Sequence, residues 1–225
     1  EKMLEEMGSG LENILKINVY ICNMRDLPAV ERIFRKVMPS SMPPVTIIGV
    51  ESLAIAPHFR IEIEVVALAP DSGTKREILE RVEGVELWGH QSLASRAGDL
   101  VYVSGLMAYD ASRKDFVRRP SDLPNEGAEL VRKLAILEGR EGAAAAQAWI
   151  IYKQMEKVLA GVDSSLRSVM KINLYLRDIA DLPVIERVAQ TIFPQDPPAL
   201  TVMQVDDLPL RDARMEMEVA ALADR

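Results

Sequence analysis

Cysteine and histidine are scarce in this chain of 225 residues, and their scarcity excludes several kinds of site. The sequence has one cysteine, Cys22, and two histidines, His58 and His90. A single cysteine excludes a disulfide within the chain, and its place in the apolar run INVYIC is typical of a small buried side chain. The histidines match no metal-ligand spacing, so we expect no metal site and no cofactor.

Long apolar runs and an excess of basic residues are also absent. No run of about 18 apolar residues occurs, so we expect no membrane-spanning helix. Lysine and arginine total 27 against 34 aspartates and glutamates, which gives a net charge of −7. Because an acidic surface repels phosphate backbones, we do not expect nucleic acid as a partner. No signal peptide is visible, and we expect a cytoplasmic globular protein.

The sequence does contain a long internal repeat. Residues 15–33, LKINVYICNMRDLPAVERI, return as residues 170–188, MKINLYLRDIADLPVIERV, at an offset of 155. The similarity resumes at an offset of 154, where RIEIEVVAL (60–68) matches RMEMEVAAL (214–222). Self-similarity over segments of this length predicts two copies of one structural unit.

Residue periodicity predicts the same order of strands and helices in both copies. The second copy has two further strands within 93–110, which the first copy lacks, and a long helix within 143–162, of which the first copy keeps only the end. We therefore predict the back half of one domain over 1–69, a polar linker with a short helix over 70–87, and a complete domain over 88–225. The chain is thus a tandem repeat with a partial first copy.

The half copy predicts an open sheet edge, and unpaired edges promote aggregation. We expect either a front half upstream of residue 1 or pairing with another subunit, and we favour the upstream segment. The irregular segment 118–142 is a second unusual feature, because connections of this length are often functional or mobile.

Several segments together resemble one family. In the second copy these segments are VSG at 103–105, KINLYLRDIADL at 171–182, PALT at 198–201 and MEMEVAAL at 215–222. Their order and spacing are similar to those of the RidA family, which is also called YjgF or endoribonuclease L-PSP. The resemblance covers 88–225 in full and 1–69 in part.

The resemblance implies an α+β, chorismate-mutase-like fold with two helices on one face of a mixed sheet. It also implies a trimer-type homo-oligomer with small-molecule sites in clefts between subunits. The characterised activity of the family is hydrolysis of reactive imines and enamines to ketoacids and ammonia, and other members are ribonucleases or bind metabolites. Tandem pairs of these domains also occur at the end of eukaryotic diphthamide-synthesis ligases.

Two features of the family's site are retained. The first glutamate of the closing I-E-I-E strand, which can hold or activate the attacking water in the family, is Glu62 in the first copy and Glu216 in the second. Gly105 keeps the place of a backbone donor in the cleft. The alternative interpretations are a solvated strand residue for each glutamate and a turn or close backbone approach for the glycine.

Other positions depart from the family. Val45 and Leu200 stand where the family has an Arg that binds the substrate carboxylate through two parallel hydrogen bonds. Glu186 replaces an asparagine, and an acid there repels an anionic substrate. Gln91 falls near a family aromatic residue. By the resemblance, the candidate ligand-binding residues are therefore Gly105, Gln91, Leu200 and Glu186.

Three functions from different classes are left open. The first is an imine or enamine hydrolase of the deaminase type that acts on a neutral or cationic imine. The second is a non-catalytic metabolite-binding or scaffold protein, which the loss of the Arg in both copies favours. The third is an endoribonuclease, which the net charge and the lack of a basic groove disfavour. Whether the chain is an enzyme is therefore undecided by the sequence.

Overall fold

The structure is a computed structural model that describes residues 1–53, 58–70, 72–136 and 139–224. Residues 137–138 of the segment 118–142, and residue 225 at the end of the predicted complete domain, lie outside the described residues. Within the described ranges, no helix is both long enough and apolar enough to cross a membrane.

The first copy forms a three-stranded sheet with one helix of three turns packed on it. Its elements are α1 (Lys2–Glu6), β1 (Ile14–Ile21), α2 (Leu27–Val37), β2 (Val45–Gly49) and β3 (Ile61–Ala67). The central strand β1 runs parallel to β2 and antiparallel to β3. Apolar residues of the sheet and of α2, among them Val19 and Phe34, form a small separate core.

The second copy forms a larger mixed sheet covered by helices. Its elements are β4 (Arg76–Leu79), β5 (Ala94–Ala97), β6 (Leu100–Leu106), β7 (Tyr109–Asp110), β8 (Asp115–Phe116), α3 (Asn125–Lys133), α4 (Arg140–Ala160), β9 (Ser164–Leu176), α5 (Leu182–Ile192), β10 (Ala199–Gln204) and β11 (Met215–Ala223). The sheet order is β10-β9-β11-β6-β5-β4, and β10 and β9 are parallel while the other pairs are antiparallel. Helix α4 packs on β6, β9 and β11 and against α5. The predicted α+β class with a mixed sheet is confirmed.

Strand β4 lies where the sequence predicted a polar linker with a short helix, so the helix prediction was wrong. β4 pairs with β5 and extends the sheet. The Arg76 guanidinium donates to Ile14 O at 2.8 Å, which connects this strand to the first copy. Pairing with β5, which lies further along the chain, outweighs the helix preference of the local sequence, because strand formation depends strongly on tertiary context.

The two copies are in direct contact. Gly49 N donates to Asp207 O at 2.8 Å, and Asp206 N donates to Gly49 O at 3.0 Å, so the end of β2 pairs with the loop after β10. The Ser95 hydroxyl of β5 donates to Leu15 O of β1 at 2.5 Å. We call this contact, in which β1 and β2 of the first copy cover β5, β6 and β11 of the second, the junction.

Candidate functional site

Several of the predicted site residues meet at the junction. Val45 N donates to the Ser104 hydroxyl at 2.9 Å, and that hydroxyl lies 3.2 Å from Gln91 Oε1. Gly105 follows Ser104 directly in β6. Gly105 and Gln91 of the second copy therefore lie beside Val45 of the first copy.

Glu216 is buried directly against Gly105. The residue is only 2% exposed. A Cβ atom added to Gly105 would lie 1.7 Å from Glu216 Oε1, so glycine is required there by close approach. The backbone N–H of Ile47 donates to the Glu216 carboxyl group. Glu216 Oε2 has no hydrogen-bond partner among the described residues, which is unusual for a buried polar atom and leaves it free for water or a ligand.

The environment of Glu216 changes its acidity. Burial raises the pKa of the Glu216 carboxyl to about 8, because desolvation disfavours the charged form. The positive charge of Lys16 opposes this rise, and the negative charge of Glu218 adds to it. A carboxyl group with this pKa is mostly protonated at neutral pH and can both donate and accept a proton near it, as general acid–base catalysis requires.

Glu218, two residues further along β11, is held in the ionised state. Lys16 Nζ lies 2.9 Å from Glu218 Oε2, and both side chains are buried. Thr46 Oγ1 donates to Oε2 at 2.6 Å, while Asn173 Nδ2 and Tyr175 Oη donate to Oε1 at 2.6 and 2.8 Å. Burial alone would raise the pKa of Glu218, but the charge of Lys16 and the hydrogen bonds from Asn173, Thr46 and Lys16 lower it to about 2. Neighbouring carboxyl groups with divergent pKa values are typical of acid–base sites.

Gly105 also borders a cavity of about 400 Å³. The cavity is lined by Glu86, Leu87, Trp88, Gly105, Met107, Tyr109, Phe116 and Leu210. Most of these walls are apolar or aromatic, and the faces of aromatic rings attract cations. The cavity therefore suits a small apolar or cationic ligand better than an anion.

Glu62, the counterpart of Glu216, lies in a different setting. The residue is exposed on β3, opposite Tyr20 of β1. In the part of the chain that the structure describes, no strand pairs with β3 on the side where β6 pairs with β11. The first copy therefore does not build the buried surroundings that Glu216 has in the second.

Leu200 and Glu186 lie together but not at the junction. Both border a second cavity of about 370 Å³, and Leu200 is 45% exposed. Strand β10, which carries Leu200, is separated from β11 by β9. At the junction the equivalent positions are Val45 and Glu31, and Glu31 Oε2 accepts a hydrogen bond from His90 N at 2.9 Å.

Sequence reasoning missed the polar residues that hold Glu218. Lys16 and Thr46 occur in both copies at the repeat offset, as Lys171 and Thr201, and a lysine inside an apolar strand was the available signal. Only the fold shows that Lys16 is buried while Lys171 is exposed.

Gly105→Ala is expected to displace the Glu216 carboxyl group, because the new methyl group would occupy its position. Overpacking of this kind lowers the free energy of unfolding by about 1–3 kcal/mol. Urea unfolding of Gly105→Ala, Glu216→Ala and the double variant measures the effect. Since Glu216→Ala makes room for the methyl group, the two changes should be non-additive by about 1 kcal/mol; additive losses would argue against the contact.

Comparison with known proteins supports the fold. The solved structure of RidA from the Antarctic bacterium Psychrobacter sp. PAMC 21119 matches with a TM-score of 0.51 and 22% identity, over 65% of this chain and 98% of that chain. At this identity the likeness establishes the fold alone. The predicted RidA-type fold is therefore confirmed.

Two curated relatives match parts of the sequence. The RutC family protein UK114 of Drosophila melanogaster is 35% identical over 81 residues, which are 36% of this chain and 58% of that protein. The 3-aminoacrylate deaminase RutC of Acinetobacter baylyi is 30% identical over 112 residues, 50% of this chain and 71% of that protein. The chain thus spans little more than half the length of the fly relative.

The whole-family comparison covers far more of the chain than either relative does. A family model described as endoribonuclease L-PSP matches residues 1–69 and 86–223. These segments contain both copies of the repeat and every residue of the junction described above. The protein therefore belongs to the endoribonuclease L-PSP family, the RidA family.

Proposed function

We propose that this RidA-family protein hydrolyses a small imine or enamine to a carbonyl compound and ammonia at the junction. The observation that carries the proposal is the Glu216 carboxyl group, buried against Gly105 with one oxygen unpartnered among the described residues. A relative named as a 3-aminoacrylate deaminase supports the same reaction class, because its named substrate is an enamine.

The chemistry needs one water molecule and a group that moves protons. Protonated Glu216 donates its proton to the imine nitrogen, and the resulting carboxylate accepts a proton from the water that attacks the imine carbon. A carbon–oxygen bond forms. Glu216 then donates this proton to the nitrogen and accepts the proton of the new hydroxyl group, so that the carbon–nitrogen bond breaks, ammonia leaves and a carbonyl group remains. No oxidant is consumed, and Glu216 ends each cycle protonated.

The substrate that fits best carries no carboxylate. Val45 stands at the junction position where the family has its carboxylate-binding Arg, and a valine side chain offers no paired donors. The nearby acids Glu31 and Glu86 would repel an anion. The aromatic wall formed by Trp88 and its neighbours favours an apolar or cationic group. We therefore propose a neutral or cationic imine as substrate.

Ammonia release from two freshly generated imines tests this proposal. One is a neutral imine made from a primary amine by an amine oxidase, and the other is an anionic imino acid made by an amino-acid oxidase. We expect the acceleration over spontaneous hydrolysis to be at least about tenfold larger for the neutral imine, because the anion lacks a bidentate partner. Leu200→Arg should not restore imino-acid hydrolysis, since Leu200 borders the second cavity.

Two results would contradict the proposal. Faster hydrolysis of the imino acid would show that another cation holds the carboxylate. No acceleration of either imine would favour the alternative, a non-catalytic metabolite-binding or scaffold protein.

We also propose that the junction takes the place of a subunit contact in a trimer-type ring. The support is the packing of β1 and β2 of the first copy on β5, β6 and β11 of the second. Two units of the same fold thus contact each other through different surfaces. Contacts of this heterologous kind can close into rings. In such a ring this chain supplies two positions, and the third is taken by one further domain.

A further inference from the structure

A small polar cavity lies between the two copies at the junction. Its volume is about 160 Å³, which is several times the ~30 Å³ that one water molecule occupies in the liquid. It shares no lining residue with the cavity beside Gly105. Both copies build it, because its polar lining residues are Lys16, Asn18, Tyr102, Lys171, Asn173 and Glu218.

The two asparagines of this cavity are equivalent residues of the repeat, and each has one unpaired atom. Asn18 Nδ2 and Asn173 Nδ2 both donate to Glu218 Oε1, at 3.4 and 2.6 Å. Because a carboxylate only accepts hydrogen bonds, this contact fixes which end of each amide faces Glu218. The other end, Oδ1, is buried in both residues and has no hydrogen-bond partner among the described residues. Buried acceptors are normally paired, so the cavity requires a molecule that donates hydrogen bonds.

The two lysines of the cavity are also equivalent in the repeat, but their partners differ. Lys16 Nζ lies 2.9 Å from Glu218 Oε2, so these two charges offset each other. Lys171 is exposed, and no ion pair or hydrogen bond of its side chain occurs within the described ranges. The cavity therefore offers one unpaired positive charge together with two unpaired acceptors.

We propose that this cavity binds a small α-amino acid in its zwitterionic form. An ammonium group carries three N–H donors, which is enough for both asparagine oxygens. The carboxylate of the same molecule forms an ion pair with Lys171. A simple anion would leave both oxygens unpaired, and a simple cation would be repelled by Lys171. The volume restricts the ligand to the smallest amino acids, such as glycine and alanine.

Isothermal titration calorimetry of the full chain with glycine tests the proposal, and we expect saturable binding. Glycolate has the same size and the same carboxylate, but a hydroxyl group with one donor replaces the ammonium group with three. We expect glycolate to bind at least about tenfold more weakly, because it loses hydrogen bonds from a charged donor. Methylamine, which lacks the carboxylate, should show a loss of at least the same size.

Two variants locate the binding. Lys171→Met removes the partner of the carboxylate, and Asn18→Ala removes one of the two acceptors. Glu218 keeps its shorter hydrogen bond to Asn173 when Asn18 is replaced, so that variant retains the buried network. Each change should weaken glycine binding at least about tenfold. Lys133→Met is the matched control and should leave binding unchanged, because Lys133 is exposed on α3 and does not line the cavity.

Absence of saturable glycine binding at millimolar concentration would overturn the inference and leave the cavity to water. Equal binding of glycine and glycolate, or equal effects of Lys171→Met and Lys133→Met, would overturn it as well. None of these results bears on imine hydrolysis, which is proposed for Glu216 and measured by ammonia release, so the two proposals fail separately.

Discussion

Glu216→Gln is expected to lower the rate of imine hydrolysis by about 100-fold or more, the range that general acid–base groups contribute. Glutamine keeps the shape of the side chain beside Gly105 but cannot exchange a proton with the imine nitrogen or with water. Initial rates of ammonia release from the neutral imine, at equal protein concentration, measure the loss. A change smaller than about threefold would remove Glu216 from the mechanism.

The pH dependence of the same variant separates catalysis from packing. Because the proposed mechanism begins with protonated Glu216, the wild-type rate should fall as the pH rises through about 8. The residual rate of Glu216→Gln should not show this inflection. Glu62→Gln provides a comparison at the equivalent position, and since Glu62 is exposed on β3 we expect less than a twofold change. Equal losses in both variants would contradict the assignment of catalysis to the second copy.

The raised pKa of Glu216 also predicts a stability effect of definite sign. The folded protein holds the Glu216 proton up to about pH 8, whereas the unfolded chain releases it near 4.5, the ordinary pKa of a glutamate side chain. Between these values the folded state binds more protons, so stability falls as the pH rises. Urea unfolding from pH 5 to pH 8 should therefore show a steeper decline for the wild type than for Glu216→Gln.

Lys16→Met is expected to lower the free energy of unfolding by about 3–5 kcal/mol, the cost of leaving one member of a buried ion pair without its partner. Glu218 would keep its hydrogen bonds to Thr46, Asn173 and Tyr175, but its charge would stay buried and unpaired. Urea unfolding at pH 7 measures the loss.

Lys171→Met is the control for this experiment, because Lys171 holds the same place in the repeat and is exposed. We expect a change within about 0.5 kcal/mol, as for other surface substitutions. Glu218 adds a pH dependence of its own. Because its pKa is lower in the folded protein than in the unfolded chain, the ionised carboxylate stabilises the fold above about pH 4.5, and this stabilisation is lost as the pH falls towards about 2. Equal effects of Lys16→Met and Lys171→Met would show that the buried pair of Lys16 and Glu218 does not stabilise the junction.

Much of the fold could be predicted from the sequence because its signals are local. The alternation in KINVYI and KINLYL predicts β1 and β9, and apolar residues at helical spacing predict α5. The strand at 76–79 could not be predicted in this way, because a short polar segment becomes a strand only when a distant edge is available to pair with it.

The candidate site was harder to predict than the fold, because identical residues have different surroundings in the two copies. Glu62 and Glu216 occupy the same place in the repeat, yet one is exposed and the other is buried. Leu200 and Gly105 were both candidate ligand-binding residues, but the residue that lies beside Gly105 at the junction is Val45, the counterpart of Leu200. The burial and the contacts of these positions depend on how the two copies pack against each other. The sequence of a single strand does not contain that information.

The junction has a further consequence because both of its walls belong to one polypeptide. In an assembly of identical chains, every substitution appears at each interface at once. The subunits of such an assembly also dissociate when the protein is diluted, which separates the two sides of each interface. Here the tether keeps the effective concentration of the two walls high at any protein concentration. A substitution at Val45 alters one wall while its counterpart Leu200 is unchanged. The two walls of the junction can therefore change independently of each other, which the walls between identical chains of a symmetric ring cannot do.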